Sequence, residues 1–288
     1  YVVGMWRWKE ASFAHFLTDK DGERPDIIYF DETCGVDQVA KAIALEPPTT
    51  IIFWGMKEPE GLAQLAAEQG IPTQRVEDGF LRSIGLTSTK SAPLSLCFDS
   101  RGMYFDPRQE SDLTHLLLTH DFDPGMIDRV EAGMRRLATL GVSKYNHAAP
   151  YDVTPLYGPK DKTRILVLGQ VEDDQSIEFG VGEPLESNQL VRLAADENPD
   201  AQIIYKPHPD VLAQARPAQS NPDAVRDIAL VVEQPLSLAD ALHTVDRVYT
   251  ATSLGGFEAL LRGIAVTTIG RPFYAGWGLT DERQVFEP

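Results

Sequence analysis

Five short segments of this chain hold the residues that could do chemistry. Glu77-Asp78-Gly79 follows a strand-like run, Thr73 to Val76, where a strand end meets a loop. Adjacent carboxylates point to opposite faces of an extended chain, so one can face a cleft while the other is held by backbone donors. Arg82 and Ser83 follow at once and can pair either carboxylate. The same residues would also serve as a solvated acidic turn. Gly169-Gln170-Val171-Glu172-Asp173-Asp174-Gln175-Ser176 crowds three carboxylates into three positions. Neighbouring like charges are costly unless a site uses them. No nearby His or Cys completes a transition-metal set, and the spacing is not that of a calcium loop, so no metal site is expected. A solvated loop is the plainer alternative.

Lys206-Pro207-His208-Pro209-Asp210 closes another strand-like run. Its prolines fix the backbone on both sides of His208, and such a rigid loop suits a phosphate. Thr250-Ala251-Thr252-Ser253 runs from strand into helix, with Gly255-Gly256 and Glu258 just inside. One hydroxyl there is an ordinary helix cap; three hydroxyls also fit an anion. Glu258 could reach a ribose or cap the turn. No Walker loop and no Gly-x-Gly-x-x-Gly is present, so dinucleotide binding is poorly supported. In Gly270 to Asp281, Tyr274 and Trp277 lie on a Gly-rich loop and could stack on a base or sugar, or pack the loop structurally.

The elements that must position these segments alternate. Strand-like runs cover residues 2–6, 26–30, 50–54 and 94–98, with helical patterns at 10–17, 36–45, 60–68 and 126–140. Gly70 and Gly141 stand where helices commonly end. The second half restarts with strands at 164–168, 202–205, 230–232, 247–249 and 264–269, and helices at 188–197 and 254–262. Such alternation implies βαβ units and mostly parallel sheets, with ligands beyond the carboxyl ends of the strands. The expected architecture is α/β and GT-B-like: two Rossmann-like domains with a cleft between them. An N-terminal, acceptor-side domain spans 1–145 and an interdomain crossing 146–163. A nucleotide-sugar domain spans 164–270, and an aromatic loop with a return segment spans 271–288.

The net charge of −17 disfavours a nucleic-acid partner, whose binding rests on phosphate neutralisation. No apolar run is long enough to span a membrane. Two cysteines in 288 residues make no disulfide framework and suggest a reducing compartment. The chain begins at Tyr1, which reads as a module excised from a longer protein.

Together the segments resemble the capsule-polysaccharide β-Kdo transferases of the KpsC type. The resemblance rests on Glu77-Asp78-Gly79-Phe80-Leu81-Arg82-Ser83, Ser143-Lys144-Tyr145-Asn146 and Gly169 to Asp174. It continues in Tyr205 to Val211, Thr252-Ser253 with Gly256 to Leu261, and Pro272 to Thr280. The Phe-Tyr-Ala-Gly-Trp-Gly-Leu-Thr string is the most specific of these. Kdo is 3-deoxy-manno-oct-2-ulosonic acid. The resemblance implies a retaining glycosyltransferase that moves Kdo from CMP-Kdo onto a Kdo-terminated lipid, of the Kdo-phosphatidylglycerol type. That step builds the poly-Kdo linker of capsular polysaccharide. It implies no cofactor, since CMP-Kdo is the donor substrate. The implied location is cytoplasmic, peripheral at the inner membrane, with a second transferase module in the same polypeptide. The Gly-Gln-Val-Glu-Asp-Asp string resembles the C-terminal, β-2,7 module more than the β-2,4 one.

By analogy with bacterial CMP-sialyltransferases, Asp78 is the acid/base, assisted by Glu77, and His208 holds the CMP phosphate. Retention by two inversions needs a carboxylate nucleophile, and Asp174 is the choice, oriented by Gln170 and Ser176. Lys206, Thr252, Ser253 and Glu258 complete the donor site. Arg82, with Arg271 second, is expected on the sugar carboxylate. Three alternatives remain: an inverting CMP-sialic-acid-type transferase, a non-catalytic oligo-Kdo-binding module, and a nucleotide-sugar epimerase.

Overall fold

The computed structural model describes residues 1–87, 89–212 and 220–284. The chain forms two compact units: Tyr1–Met103 with Gln109–His115, and Tyr104–Arg108 with Leu116–Pro288. Residues 116–145, expected on the first domain, therefore cluster with the second.

The first unit carries β1 (Val2–Val3), α1 (Arg7–Phe16), β2 (Tyr29–Phe30), α2 (Val36–Leu45), β3 (Ile51–Trp54), α3 (Leu62–Glu68), β4 (Thr73–Asp78) and β5 (Leu96–Asp99). The sheet order is β2-β1-β3-β4-β5, parallel except for β5 against β4. All four residues of β3 are buried, as a strand covered on both faces requires. Val3, Ile51 and Phe53 pack with Val39 and Ile43 of α2 and Leu62 and Ala66 of α3. Val2, Ile52, Trp54 and Val76 pack on the opposite face with Phe13 of α1.

Helix α4 (Asp112–Thr119) crosses the boundary between the units, and α5 (Pro124–Leu140) follows. Asp123 caps α5 by accepting from Met126 N–H, and Pro124 occupies the first turn. Gly141 ends the helix at φ 63°, a conformation that L side chains resist, as expected from its position.

The second unit continues with α6 (Thr154–Tyr157), β6 (Arg164–Leu168), α7 (Gln175–Val181), α8 (Ser187–Glu197), β7 (Gln202–Lys206) and α9 (Pro209–Leu212). Next come β8 (Leu230–Val231), α10 (Leu238–Ala241), β9 (Arg247–Thr250), α11 (Leu254–Leu260), β10 (Ala265–Thr268) and β11 (Asp281–Glu282). Among the described residues the sheet runs β11-β10-β9-β6-β7-β8, every pair parallel. Numbered within the unit, that is the Rossmann strand order, and chain order reverses between β6 and β9. Leu166, Ile204, Val248 and Val266 face one core, and Ile165, Val167, Ile203 and Tyr249 face the other. The α/β class with Rossmann-like parallel sheets is thus as expected. Helix α7 was not anticipated: it begins immediately after the acidic string, whose charges mask the start of a helical pattern.

Candidate functional site

In an open parallel sheet, ligands bind beyond the strand ends where the strand order reverses, because the flanking loops part there. In the second unit that point lies between the loop after β6 and the loop after β9. Gln170 spans the two loops. Its Nε2 donates to Thr252 Oγ1 at 3.0 Å, and its Oε1 accepts from Thr252 N–H at 2.9 Å. Thr252 Oγ1 donates onward to Ser176 Oγ at 3.2 Å. Gly180 and Gly270 make room for Thr252: a Cβ on either would stand within 2.7 Å of the Thr252 methyl carbon. Gln170 was expected to orient Asp174. It holds the 250–253 loop instead.

Asp174 caps α7, its Oδ1 accepting from Ser176 N–H at 2.9 Å. Among the described residues its Oδ2 has no hydrogen-bond donor. Glu172, in the string that a solvated loop could also explain, is not a solvated carboxylate. It is half-buried and accepts from Ser187 N–H, Ser220 N–H and the Ser220 hydroxyl, so it is a structural anchor. Asp173 is exposed.

Lys206 ends β7, beside β6. It is 6% exposed, and among the described residues its ammonium has no hydrogen-bond or ion-pair partner. Burial without a counter-charge pushes its pKa down to about 8. His208 follows between its prolines. Asp210 N–H donates to His208 Nδ1 at 3.1 Å, so the neutral ring carries its proton on Nε2, ready to donate. Burial holds the His208 pKa well below its usual range, with Asp210 and Asp174 opposing and Lys144 and Lys206 adding to the fall. His208 is therefore a neutral donor at pH 7. Lys144 and His147 were not assigned as site residues, yet the Lys144 charge lowers the His208 pKa, and the charges of Lys206 and Asp210 reach His147. The Ser143-Lys144-Tyr145-Asn146 string was the available signal.

Ser253 caps α11 through Gly255 N–H, and Thr250 Oγ1 accepts from Ser253 N–H, so two of the three hydroxyls are used locally. Glu258 is 4% exposed, and its Oε1 accepts from Ser143 Oγ at 3.1 Å and Lys144 N–H at 3.0 Å. Its Oε2 has no hydrogen bond, with Arg262 Nη1 at 3.8 Å, and burial raises its pKa. Tyr274 cannot stack on a ligand. It is 3% exposed, packs against Phe257 and Phe273, and donates from its hydroxyl to Ser253 O at 2.6 Å. A Cβ on Gly256 would stand 2.2 Å from that hydroxyl oxygen, so the glycine is what admits the ring. Trp277 is half-buried, with its indole N–H on Phe273 O. Arg271 is exposed, and its N–H donates to Gly180 O.

The first unit holds the other carboxylate. Asp78 ends β4, 7% exposed. Lys9 Nζ, from α1, donates to Asp78 Oδ1 and Oδ2 at 3.0 and 3.2 Å, and Arg82 Nε donates to Oδ2 at 2.6 Å. Lys9 lies 3.6 Å from the Trp54 ring centre, with the Trp6 and Trp8 rings at 5.4 and 5.3 Å. Desolvation lowers its pKa, and Asp78 opposes the fall. Arg82 is fully buried and also donates to Ser83 Oγ, so it is no receptor for a sugar carboxylate; it orients Asp78. Lys9 was missed because its partner is 69 residues away. Glu77 Oε1 accepts from Asp78 N–H at 3.0 Å.

Among the described residues no group of three His, Cys, Asp or Glu is arranged to hold a metal, and no helix is long and apolar enough to cross a membrane. A groove of about 840 Å³ lies elsewhere on the second unit, lined by Gly141, Tyr151, Asp240, His243 and Arg262 among others. It contains none of the expected site residues.

The family described as capsule polysaccharide biosynthesis protein matches residues 49–150 and 135–287. The chain is 40% identical over 285 residues to the lipopolysaccharide-processing protein LpsZ of Rhizobium meliloti, covering 98% of this chain and 63% of that protein. It is 38% identical to the capsule polysaccharide modification protein LipA of Neisseria meningitidis serogroup A, covering 98% of this chain and 38% of LipA. The chain therefore spans less than two thirds of either relative. Two solved structures are similar over nearly the whole chain, both from Thermosulfurimonas dismutans KpsC. Its β-Kdo 2,4 transferase aligns with a TM-score of 0.79 at 29% identity, covering 98% of this chain and 84% of that one. Its β-Kdo 2,7 transferase aligns with a TM-score of 0.72, again at 29% identity, covering 99% and 83%. The resemblance read from the motifs is thereby borne out, and identity does not separate the two linkages.

Proposed function

This chain belongs to the capsule polysaccharide biosynthesis protein family, and from that premise we propose that it is a retaining β-Kdo transferase using CMP-Kdo. The observation that carries the reading is Lys206. A lysine only 6% exposed, whose ammonium has no partner among the described residues and whose charge, like that of Asp174, acts on His208, calls for an anion next to a nucleophile. The donor's phosphodiester supplies that anion. The similarity to the KpsC structures, Kdo transferases at 29% identity, supports the sugar.

In the reaction we propose, Asp174 Oδ1 stays on Ser176 N–H while Oδ2 attacks C2 of Kdo. The C2–O bond to phosphate breaks, and its electron pair leaves with CMP. The acceptor hydroxyl then attacks C2, its proton passing to a general base, and the Asp174 carboxylate departs. Two inversions give net retention. Lys206 and His208 stabilise the charge that grows on the leaving phosphate. Lys9 and Arg82 hold Asp78 in place. The donor arrives already activated, so no cofactor is required. We assign the acceptor as a Kdo-terminated lipid at the cytoplasmic face of the inner membrane. We assign the β-2,7 linkage on the likeness of the Gly169–Asp174 string alone, against a higher TM-score with the β-2,4 transferase.

Incubation with a CMP-Kdo generating system and no acceptor is expected to add one Kdo mass to the protein, mapped to residues 170–176. Asp174→Asn should abolish it. A synthetic Kdo-terminated acceptor should then yield a β-linked product whose NMR spectrum reads the linkage. An adduct on Asp78, or turnover without any adduct, overturns the mechanism. No turnover of CMP-Kdo overturns the donor.

A further inference from the structure

CMP-Kdo carries two anionic groups, a phosphodiester and the carboxylate of the acidic sugar. Of the two arginines expected on the carboxylate, Arg82 is fully buried on Asp78, and Arg271 is exposed, its backbone N–H fixed on Gly180 O. The Ser143–Asn146 turn offers another cation, and the structure spends unusual resources on fixing it. Ser143 N–H donates to Asn146 Oδ1 at 3.0 Å, and Asn146 Nδ2 donates back to Ser143 O at 2.8 Å. Ser143 Oγ and Lys144 N–H both donate to Glu258 Oε1. Arg262 joins Val142 O to Glu258 O, at 2.9 Å each. Glu258 and Ser143 are each 4% exposed.

A buried carboxylate, one oxygen of which has no hydrogen bond among the described residues and only Arg262 Nη1 at 3.8 Å, is a costly way to hold a turn, since apolar packing would hold it without desolvating a charge. The arrangement makes sense if what the turn presents must be placed accurately. It presents Lys144. That side chain is half-buried, 5.5 Å from the Tyr145 ring centre, and its positive charge acts on both His208 and Glu258. Lys144 and Lys206 thus bring two positive charges from two segments to one site, matching a ligand with two negative ones.

We propose that Lys144 binds the carboxylate of the transferred acidic sugar while Lys206 and His208 hold the donor's phosphate. Glu258 is then a positioning residue, acting through the turn. This inference rests on the donor assigned above.

The test separates the two anions. CMP contains the phosphate but no sugar carboxylate. In the full 288-residue chain, Lys144→Gln is expected to raise the KM for CMP-Kdo at least about tenfold while changing the Kd for CMP, measured by calorimetry, less than about twofold. Lys206→Gln should weaken both. Lys144→Arg should restore most of the donor KM, which a merely structural role would not predict. A parallel loss of CMP affinity in Lys144→Gln would place Lys144 on the phosphate and overturn the proposal. So would an unchanged donor KM. Failure of the wild-type protein to bind CMP would overturn the donor assignment itself, and is read separately. A circular-dichroism melt confirms that each variant is folded, and Tyr145→Phe serves as a neighbouring control.

Discussion

Lys9 Nζ sits 3.0 Å from Asp78 Oδ1 and 3.6 Å from the centre of the Trp54 ring, so one buried ammonium joins the end of β4 to an aromatic box. Removing one member of a buried ion pair leaves the other uncompensated. Lys9→Met is therefore expected to cost about 3 kcal/mol, with Arg82 holding what remains. Lys9→Met combined with Asp78→Asn should cost less than the sum of the two single losses, although the fully buried Arg82 is then left without its carboxylate. Urea denaturation followed by tryptophan fluorescence reads both variants. Additive losses in the double variant would show that the pair is not coupled.

Lys206 gives a pH dependence of definite sign. Its pKa is about 8 in the folded protein against 10.5 for the free side chain. Between these values the unfolded chain holds a proton that the folded chain has released, so stability rises with pH across that window. Below pH 8 the full penalty is present, on the order of 3 kcal/mol. Lys206→Met should stabilise the ligand-free protein at pH 7 and lose that advantage as pH approaches 10.5. Urea midpoints at pH 7 and pH 10 test it, and a variant less stable than wild type at pH 7 would contradict it.

His208 is expected to act through its Nε2–H. His208→Ala should weaken CMP binding or lower turnover at least about tenfold. His208→Gln places an amide N–H near the Nε2 position and should retain more affinity than the alanine variant. Equal losses in the two variants, measured by calorimetry with CMP, would remove the donor role.

Gln170 bonds Thr252 through both of its side-chain polar atoms. Gln170→Ala should cost about 1–2 kcal/mol of stability, as two neutral hydrogen bonds do. Its effect on donor kcat/KM should be larger, roughly tenfold or more, because the 250–253 loop loses its fixed position. A proportionate fall in stability with unchanged kcat/KM would assign Gln170 to folding alone.

What was legible in the sequence follows from range. Strand β6 and its glycine, the α5 stop at Gly141 and the proline-bracketed His208 are local patterns. All three stand where their patterns place them. The Rossmann-like class follows from the same alternation. What was missed depends on contacts across the chain. Lys9 meets Asp78 over 69 positions, and Ser143 meets Glu258 over 115, so no spacing rule could join them. Tyr274 was left open between stacking and packing because a Gly-rich aromatic loop looks the same whether its ring faces solvent or a core. Helix α4 was passed over because Leu116-Leu117-Leu118 is a run without helical period, and the helix buries no residue.

The Gly256–Tyr274 contact carries a consequence for variation among relatives. A side chain at 256 and a tyrosine at 274 would occupy the same 2.2 Å, so the two positions are mutually exclusive in what they tolerate. A relative that acquires alanine at the first must shrink or redirect the second, and with it surrender the hydroxyl that now holds Ser253 O. The two sites are therefore expected to change together or not at all. A library randomising both should return far fewer functional clones than two single-site libraries would suggest.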